Sequence, residues 1–184
     1  PSFGMHWKVT NAVFMGMGEP LNNYAAVLNA VRSLRELWRL NPSRITVSTV
    51  GVVNRIRSLA TDEPHVSLAL SLHAATQETR EKLVPTAKAY TMRKLLSAID
   101  DYSAASGRAV LVEYILIRDV NDSIDEAVAL GELLRCRNVA VNIIPYNSTA
   151  AGDRFGYATP SNEHARAFAD AVRACDGYAG KKMV

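Results

Sequence analysis

A glycine-rich segment at residues 16–20, with the sequence GMGEP, follows the first apolar run of the chain. Glycines allow a tight turn that leaves backbone N–H and C=O groups open to a ligand, and proline fixes the direction in which the chain leaves. Glu19 adds a carboxylate acceptor, so the turn suits a ligand with an ammonium group better than a phosphate. Neither a Walker loop nor a G-x-G-x-x-G dinucleotide fingerprint is present. Taken alone, the segment is better explained as a simple strand-to-helix turn, so its interpretation depends on residues elsewhere.

Further polar residues that could contact a ligand fall where later apolar runs end, at Ser48, Ser71, His73 and Asn147. Alternation along a strand places Ser71 and His73 on one face together with Ser67. The alternatives are a buried, hydrogen-bonded histidine at His73 and an ordinary turn at Asn147. A serine-histidine hydrolase is a poor fit, because no G-x-S-x-G elbow is present and the acid would have to be Glu113. Glu113 is also interpretable as a carboxylate hydrogen-bonded inside the fold.

The elements that must position these residues alternate between strands and helices. Strands are predicted at residues 12–17, 44–50, 66–73, 109–118 and 139–146. Helices are predicted after Asn23, with Val27, Val31, Leu34 and Trp38 at helical spacing, and at residues 53–61, 76–84, 91–107, 123–136 and 161–176. Gly107 is a helix stop signal, and residues 123–126 predict a capping box in which Glu126 returns to the Ser123 amide.

This alternation predicts an α/β fold with parallel strand pairing. A doubly wound open sheet and a part of a (β/α) barrel both satisfy it. The strand at residues 66–73 carries valine and leucine on one face and Ser67, Ala69, Ser71 and His73 on the other. A strand covered on both faces would be apolar throughout, so the polar face is expected to line a cavity. We therefore favour a partial (β/α) barrel of parallel strands with outer helices, curved around a ligand.

Composition limits the class of protein. The chain has 184 residues, 48% of them hydrophobic and 21% charged, and a net charge of +3. These values predict one globular domain over residues 1–184 and permit an anionic partner without requiring one. No apolar run is long enough for a membrane helix and no secretion signal is visible, so we expect a soluble, intracellular protein with no membrane partner. Cys136 and Cys175 form no disulfide framework or zinc motif, and Cys175 is expected to be a small buried residue of the last helix.

Seven segments, taken in order, resemble a known family. They lie at residues 14–22, 45–53, 70–74, 83–85, 112–114, 120–123 and 141–147, and they cover nearly the whole chain. Together they are similar to the radical S-adenosylmethionine RNA methyltransferases. Members of that family methylate C2 of an adenine in large-subunit rRNA, and some also act on tRNA, while a close relative methylates C8.

The resemblance implies a fold and a set of cofactor contacts. The chain would supply the second strand onward of the radical S-adenosylmethionine barrel. The matching residues are Gly18 and Glu19 at the amino group of S-adenosylmethionine, Ser48 as a further contact, Ser71, Leu72 and His73 along the ribose and methionine portion, and Asn147 near the adenine. The resemblance also implies a four-iron four-sulfur cluster, an electron donor, rRNA or tRNA as substrate, a monomer, and a cytoplasmic location, with an organelle left open.

The sequence also departs from the family pattern. The three cluster cysteines of the family, spaced C-x3-C-x2-C, would lie before the start of this chain, and its methyl-carrying cysteine would lie after Val184. Cys175 does not inherit that role, so we expect no catalytic and no metal-binding residue in this chain. Ala75 stands where a proline is usual, and residues 148–151 replace a proline-rich loop.

Three functions stay open at this point. The first is the central segment of an active radical methyltransferase, which the retained polar residues favour. The second is a shortened, inactive relative that still binds S-adenosylmethionine or RNA. A generic phosphate-binding barrel enzyme comes last, because residues 150–152 give only thin support for a phosphate site.

Overall fold

The computed structural model describes residues 9–175, within which five parallel strands form one sheet. The strands are β1 (Ala12–Phe14), β2 (Ile45–Thr49), β3 (Ser67–Ser71), β4 (Val110–Leu116) and β5 (Val139–Pro145). The helices are α1 (Tyr24–Glu36), α2 (Val53–Asp62), α3 (Gln77–Leu83), α4 (Met92–Ser106), α5 (Ile124–Leu134), α6 (Ala150–Asp153) and α7 (Asn162–Ala174). Short 3-10 turns lie at Pro20–Asn23, Pro42–Arg44 and Pro85–Ala89.

The order of the strands decides between the two predicted sheet types. The strands lie side by side in chain order, β1-β2-β3-β4-β5, and each neighbouring pair is parallel. A doubly wound sheet reverses its strand order and has helices on both faces, whereas a sheet built in one direction keeps its crossover helices on one face. The partial (β/α) barrel is therefore confirmed, with its helices outside.

Alternating side chains divide the sheet into an apolar outer face and an inner face that carries its polar residues. Val47, Leu70 and Val112 point to the outer side and are fully buried in the core. Phe168 of α7 joins them by packing on Tyr114, with 5.4 Å between ring centroids. The inner face carries the polar residues among apolar ones, and the strand register aligns Ser71 with Glu113 and Glu113 with Asn142 in one row.

Helix α4 matches both the buried side and the end predicted from the sequence. Its predicted inner side, composed of Met92, Leu95, Leu96, Ile99 and Tyr102, is buried. Gly107 ends the helix with a φ of 66°, a left-handed conformation that glycine adopts without steric cost. Both predictions are confirmed.

Three local predictions were wrong. Helix α1 ends at Glu36, so Trp38 lies beyond it and is 63% exposed. Strand β1 ends at Phe14, because the glycine-rich segment leaves the sheet earlier than residue 17. Ser123 does accept a hydrogen bond from the Glu126 amide at 3.1 Å, but the Glu126 carboxylate accepts one from the Ala75 amide at 3.0 Å instead of returning to Ser123.

The predicted end of the last helix lies at the limit of the described residues. Helix α7 ends at Ala174, and residue 176, where the helix was predicted to end, lies outside the described residues. Cys175 is half-buried, not fully buried, and its side chain packs so closely on Gly131 that no Cβ would fit there. Within residues 9–175, no helix is long and apolar enough to cross a membrane.

Candidate functional site

The carboxylate of Glu19 is held between two loops. Its Oε1 accepts a hydrogen bond from the Leu21 amide at 2.9 Å, which caps the 3-10 turn that begins at Pro20. Its Oε2 accepts one from the Val50 amide at 2.8 Å, just after β2. Each carboxylate oxygen has a second lone pair, so Glu19 can still accept hydrogen bonds from a ligand. The sequence pattern predicted the acceptor, and the tertiary structure supplies its orientation.

Glu113 joins two of the predicted serines. Its Oε2 accepts hydrogen bonds from Ser48 Oγ at 3.0 Å and from Ser71 Oγ at 3.4 Å. A hydroxyl has one proton, so both serines direct theirs to Glu113 and keep their lone pairs for another donor. The predicted hydrogen bonding of Glu113 across neighbouring strands is confirmed, but the residue is half-buried, not buried.

A cavity of about 100 Å³ brings four of the predicted residues together, namely Gly18, Glu19, Ser48 and Ser71. It lies beyond the carboxyl ends of β1, β2 and β3, where parallel α/β folds place their ligands. A Cβ added to Gly16 or Gly18 would meet no atom within 4 Å, so the backbone there is open to a close ligand. No lysine or arginine lines this cavity within the described residues.

The hydrogen-bonding groups of this cavity fit a cationic ligand. Glu19 and the two serines offer hydrogen-bond acceptors, and Glu19 adds a carboxylate charge to the cavity lining. The ammonium and sulfonium groups of S-adenosylmethionine match these residues, whereas a phosphate would meet acceptors and negative charge. The phosphate-binding alternative therefore finds no support at this cavity.

His73 lies just past β3 in a left-handed conformation, with a φ of 61°. Asn121 holds this turn, because its Nδ2 donates to the carbonyls of His73 and Ile115, both at 2.8 Å, and its Oδ1 accepts from the Ile117 amide at 2.7 Å. His73 Nδ1 accepts a hydrogen bond from the Ile115 amide at 3.1 Å. Burial, and next the charge of Arg80, lower the pKa of His73 to about 4. The ring is therefore neutral near pH 7 and keeps its proton on Nε2, where it can donate to a ligand.

A second cavity, of about 250 Å³, lies beside His73 and is mostly apolar. Phe155 stacks on Tyr157 with 5.6 Å between ring centroids, and Tyr146 meets Tyr157 edge-on at 6.0 Å. The short helix α6 closes one side, and Gly152 packs so closely on Tyr146 that a Cβ would clash. Sequence reasoning missed this cavity, although the aromatic residues on both sides of Gly156 were a usable signal.

Ser71 and His73 line different cavities, contrary to the shared face predicted for them. The left-handed turn at His73 ends the strand alternation, and Ser71 Oγ donates to Glu113 while His73 Nδ1 accepts from a backbone amide. Ser71 and His73 therefore form no pair, and these two residues give the hydrolase alternative no geometric support.

The side chains of Leu72 and Asn147 line neither of the two cavities. The side chain of Leu72 is 0% exposed and belongs to the hydrophobic core, so only its backbone is available to a ligand. Asn147 is exposed, follows the buried Tyr146, and lines neither of the two cavities.

The described residues do not fit an iron-sulfur cluster. Such clusters are held by cysteine thiolates, and residues 9–175 contain no group of three His, Cys, Asp or Glu side chains arranged for a metal ion. Cys136 is exposed on the surface, and Cys175 lies at the end of α7.

A scan against models of protein families finds no match. Curated relatives include the probable dual-specificity RNA methyltransferases RlmN of Thermotoga maritima, Moorella thermoacetica and Nostoc punctiforme, to which the chain is 44%, 45% and 40% identical. The alignments cover 88%, 88% and 90% of this chain, but 46%, 45% and 45% of those proteins. The chain thus spans about half the length of the curated relatives it matches.

Solved structures agree with these relatives. A radical SAM methyltransferase from Sphaerobacter thermophilus matches with a TM-score of 0.88 at 40% identity, over 96% of this chain and 50% of that chain. A domain of pyruvate-formate lyase-activating enzyme from Bacteroides vulgatus matches with a TM-score of 0.72 at 16% identity, over 96% of this chain and 98% of that chain, which shows the shared fold alone. Sequence and fold together therefore assign the chain to the family of RlmN-like radical SAM methyltransferases.

Proposed function

We propose that this chain binds S-adenosylmethionine, with its methionine portion in the cavity beyond β1, β2 and β3. The observation that carries the proposal is the Glu19 carboxylate, fixed by two backbone amides in an acceptor-lined cavity without lysine or arginine among its described lining residues. When bound, S-adenosylmethionine supplies an activated methyl group and the starting point of radical chemistry. The residues of this chain bind and orient it.

Each site residue would contact a particular portion of S-adenosylmethionine. Glu19 accepts from the amino group of the methionine portion, and the backbone at Gly18 lies against it. Ser48 and Ser71 accept hydrogen bonds from the ligand through their free lone pairs, since each donates its own hydroxyl hydrogen bond to Glu113. The nucleoside portion lies outside this cavity, where the Leu72 backbone and the His73 Nε2–H contact the ribose and Asn147 contacts the adenine.

We also propose that the protein containing this chain methylates C2 of an adenine in large-subunit rRNA, or in tRNA. The relatives named as dual-specificity RNA methyltransferases support this substrate class. An iron-sulfur cluster in this protein would be held by residues other than 9–175, and an electron donor would be a partner. Residues 1–184 would form part of one radical SAM domain, acting as a monomer in the cytoplasm.

Calorimetric titration with S-adenosylmethionine tests the cofactor site. Glu19→Ala and His73→Ala should each weaken binding by about 1 to 3 kcal/mol, as expected for a lost hydrogen bond to a charged or buried group. Glu36→Ala, an exposed carboxylate at the end of α1, is the matched control and should bind like the wild type. Unchanged isotherms for both site variants would overturn the assignment.

A non-catalytic relative that binds S-adenosylmethionine is the second candidate, because the acceptor-lined cavity at Glu19 can serve binding without turnover. Purification without oxygen separates the two. Brown protein that methylates adenine in RNA supports the enzyme. Colourless protein that binds S-adenosylmethionine and leaves RNA unmodified supports the binding relative.

A further inference from the structure

Arg80 of α3 is a guanidinium inside the protein without a carboxylate partner among the described residues. Its side chain is 2% exposed, and it forms no ion pair in residues 9–175. Its Nη2 donates to the Val50 carbonyl at 2.5 Å, while its Nε is buried without a hydrogen-bond partner in the described residues. An unpaired buried charge costs several kcal/mol, and an apolar side chain would fill the same space at less cost. Packing alone therefore does not explain this arginine.

The loop at residues 49–51 explains its position. Val50 is held from both sides: its amide donates to Glu19 Oε2 at 2.8 Å, and its carbonyl accepts from Arg80. Gly51 follows with a φ of 111°, and a Cβ there would lie 2.6 Å from Leu95 and 3.6 Å from the Arg80 guanidinium. The loop is thus pressed onto Arg80 and Leu95, and its other side faces Glu19.

We propose that Arg80 is a positioning residue for the Glu19 carboxylate. By holding the Val50 carbonyl, it fixes the Val50 amide that aims Glu19 at the amino group of S-adenosylmethionine. Arg80 lines neither of the two cavities, so it acts through Val50 and not by touching the ligand. This inference rests on the proposed cofactor site and adds a residue that the family resemblance did not supply.

The test compares two ligands that differ in the amino-acid portion. Wild type, Arg80→Lys and Arg80→Met are titrated with S-adenosylmethionine and with 5′-methylthioadenosine, which lacks the group that Glu19 binds. Arg80→Met should lose about tenfold in affinity for S-adenosylmethionine, as for one hydrogen bond to a charged group, and keep its affinity for 5′-methylthioadenosine. Arg80→Lys keeps the charge with a single compact donor and should fall between the two. Lys82→Met, on the exposed side of the same helix, should change neither affinity.

A double-mutant cycle asks whether Arg80 acts through Glu19. In a Glu19→Gln background, Arg80→Lys should cause no further loss of S-adenosylmethionine affinity, because the group it positions is already impaired. Full additivity, or equal weakening of both ligands, would overturn the proposal. If thermal melts show that Arg80→Met does not fold, Arg80→Lys carries the same comparison.

The wild-type titration distinguishes failure of the proposed cofactor site from failure of the proposed role of Arg80. Wild-type protein that fails to bind S-adenosylmethionine overturns the proposed function, and this inference with it. Wild-type protein that binds while the Arg80 variants bind equally well overturns the role of Arg80 alone.

Discussion

Asn121 is a single residue that fixes the turn at His73. It is 1% exposed and its amide bonds to two carbonyls and one backbone amide. Asn121→Ala leaves these buried groups unpaired, so we expect a loss of about 2 to 4 kcal/mol in the free energy of unfolding. Urea denaturation measures it, with exposed Asn54→Ala as the control. A loss no larger than in the control would mean that water replaces the Asn121 side chain.

His73 makes stability depend on pH in a defined window. Its pKa is lowered from 6.5 to about 4 in the folded protein, so the unfolded chain binds more protons between these values. Stability therefore rises with pH across this window and is lost on acidification, by at most about 3 kcal/mol from this group. Denaturation at a series of pH values should show a steeper acid loss for wild type than for His73→Gln. Parallel curves would contradict a half-buried histidine that is neutral in the folded protein at pH 7.

At the scale of elements, two glycines that both have positive φ test what the β2 to α2 loop requires. Gly107 ends α4 in open space, whereas a Cβ on Gly51 would also press into Leu95. We expect Gly107→Ala to cost about 1 kcal/mol, from backbone strain alone. Gly51→Ala should cost about 2 to 4 kcal/mol, because overpacking adds to the strain.

Thermal unfolding of the two glycine variants provides the measurement, and a ligand titration adds a second readout. Gly51→Ala should also weaken S-adenosylmethionine binding, since the same loop carries the Val50 amide that orients Glu19. Equal stability losses for the two variants would show that Leu95 moves aside easily.

At the scale of the whole molecule, ligand binding should stabilise the fold by mass action. S-adenosylmethionine at a hundred times its Kd should add about 2.7 kcal/mol to the free energy of unfolding. Inorganic phosphate at the same concentration should add nothing beyond its general salt effect, because the cavity beyond β1 to β3 presents acceptors. Specific stabilisation of the wild type by phosphate that grows stronger in Glu19→Gln, where the repelling charge is gone, would place phosphate at this cavity and contradict this interpretation.

The sequence by itself determined the parts of this protein that depend on neighbours a few positions away. The alternation of strands and helices, the buried side of α4, the stop at Gly107 and the cap at Ser123 follow from periodicity and local hydrogen bonds. The GMGEP segment likewise predicted a hydrogen-bond acceptor in a turn, and the seven matching segments indicated the family.

Only the tertiary structure decided which of these residues meet. Ser48 and Glu113 are 65 positions apart, and Val50 and Glu19 are 31, so strand order and register set their contacts. The left-handed turn at His73, which depends on Asn121 from another segment, separates it from Ser71. The buried position of Arg80 has the same origin. From the sequence alone, an arginine in a seven-residue helix is expected at the surface, and only the packing of the loop after β2 buries it.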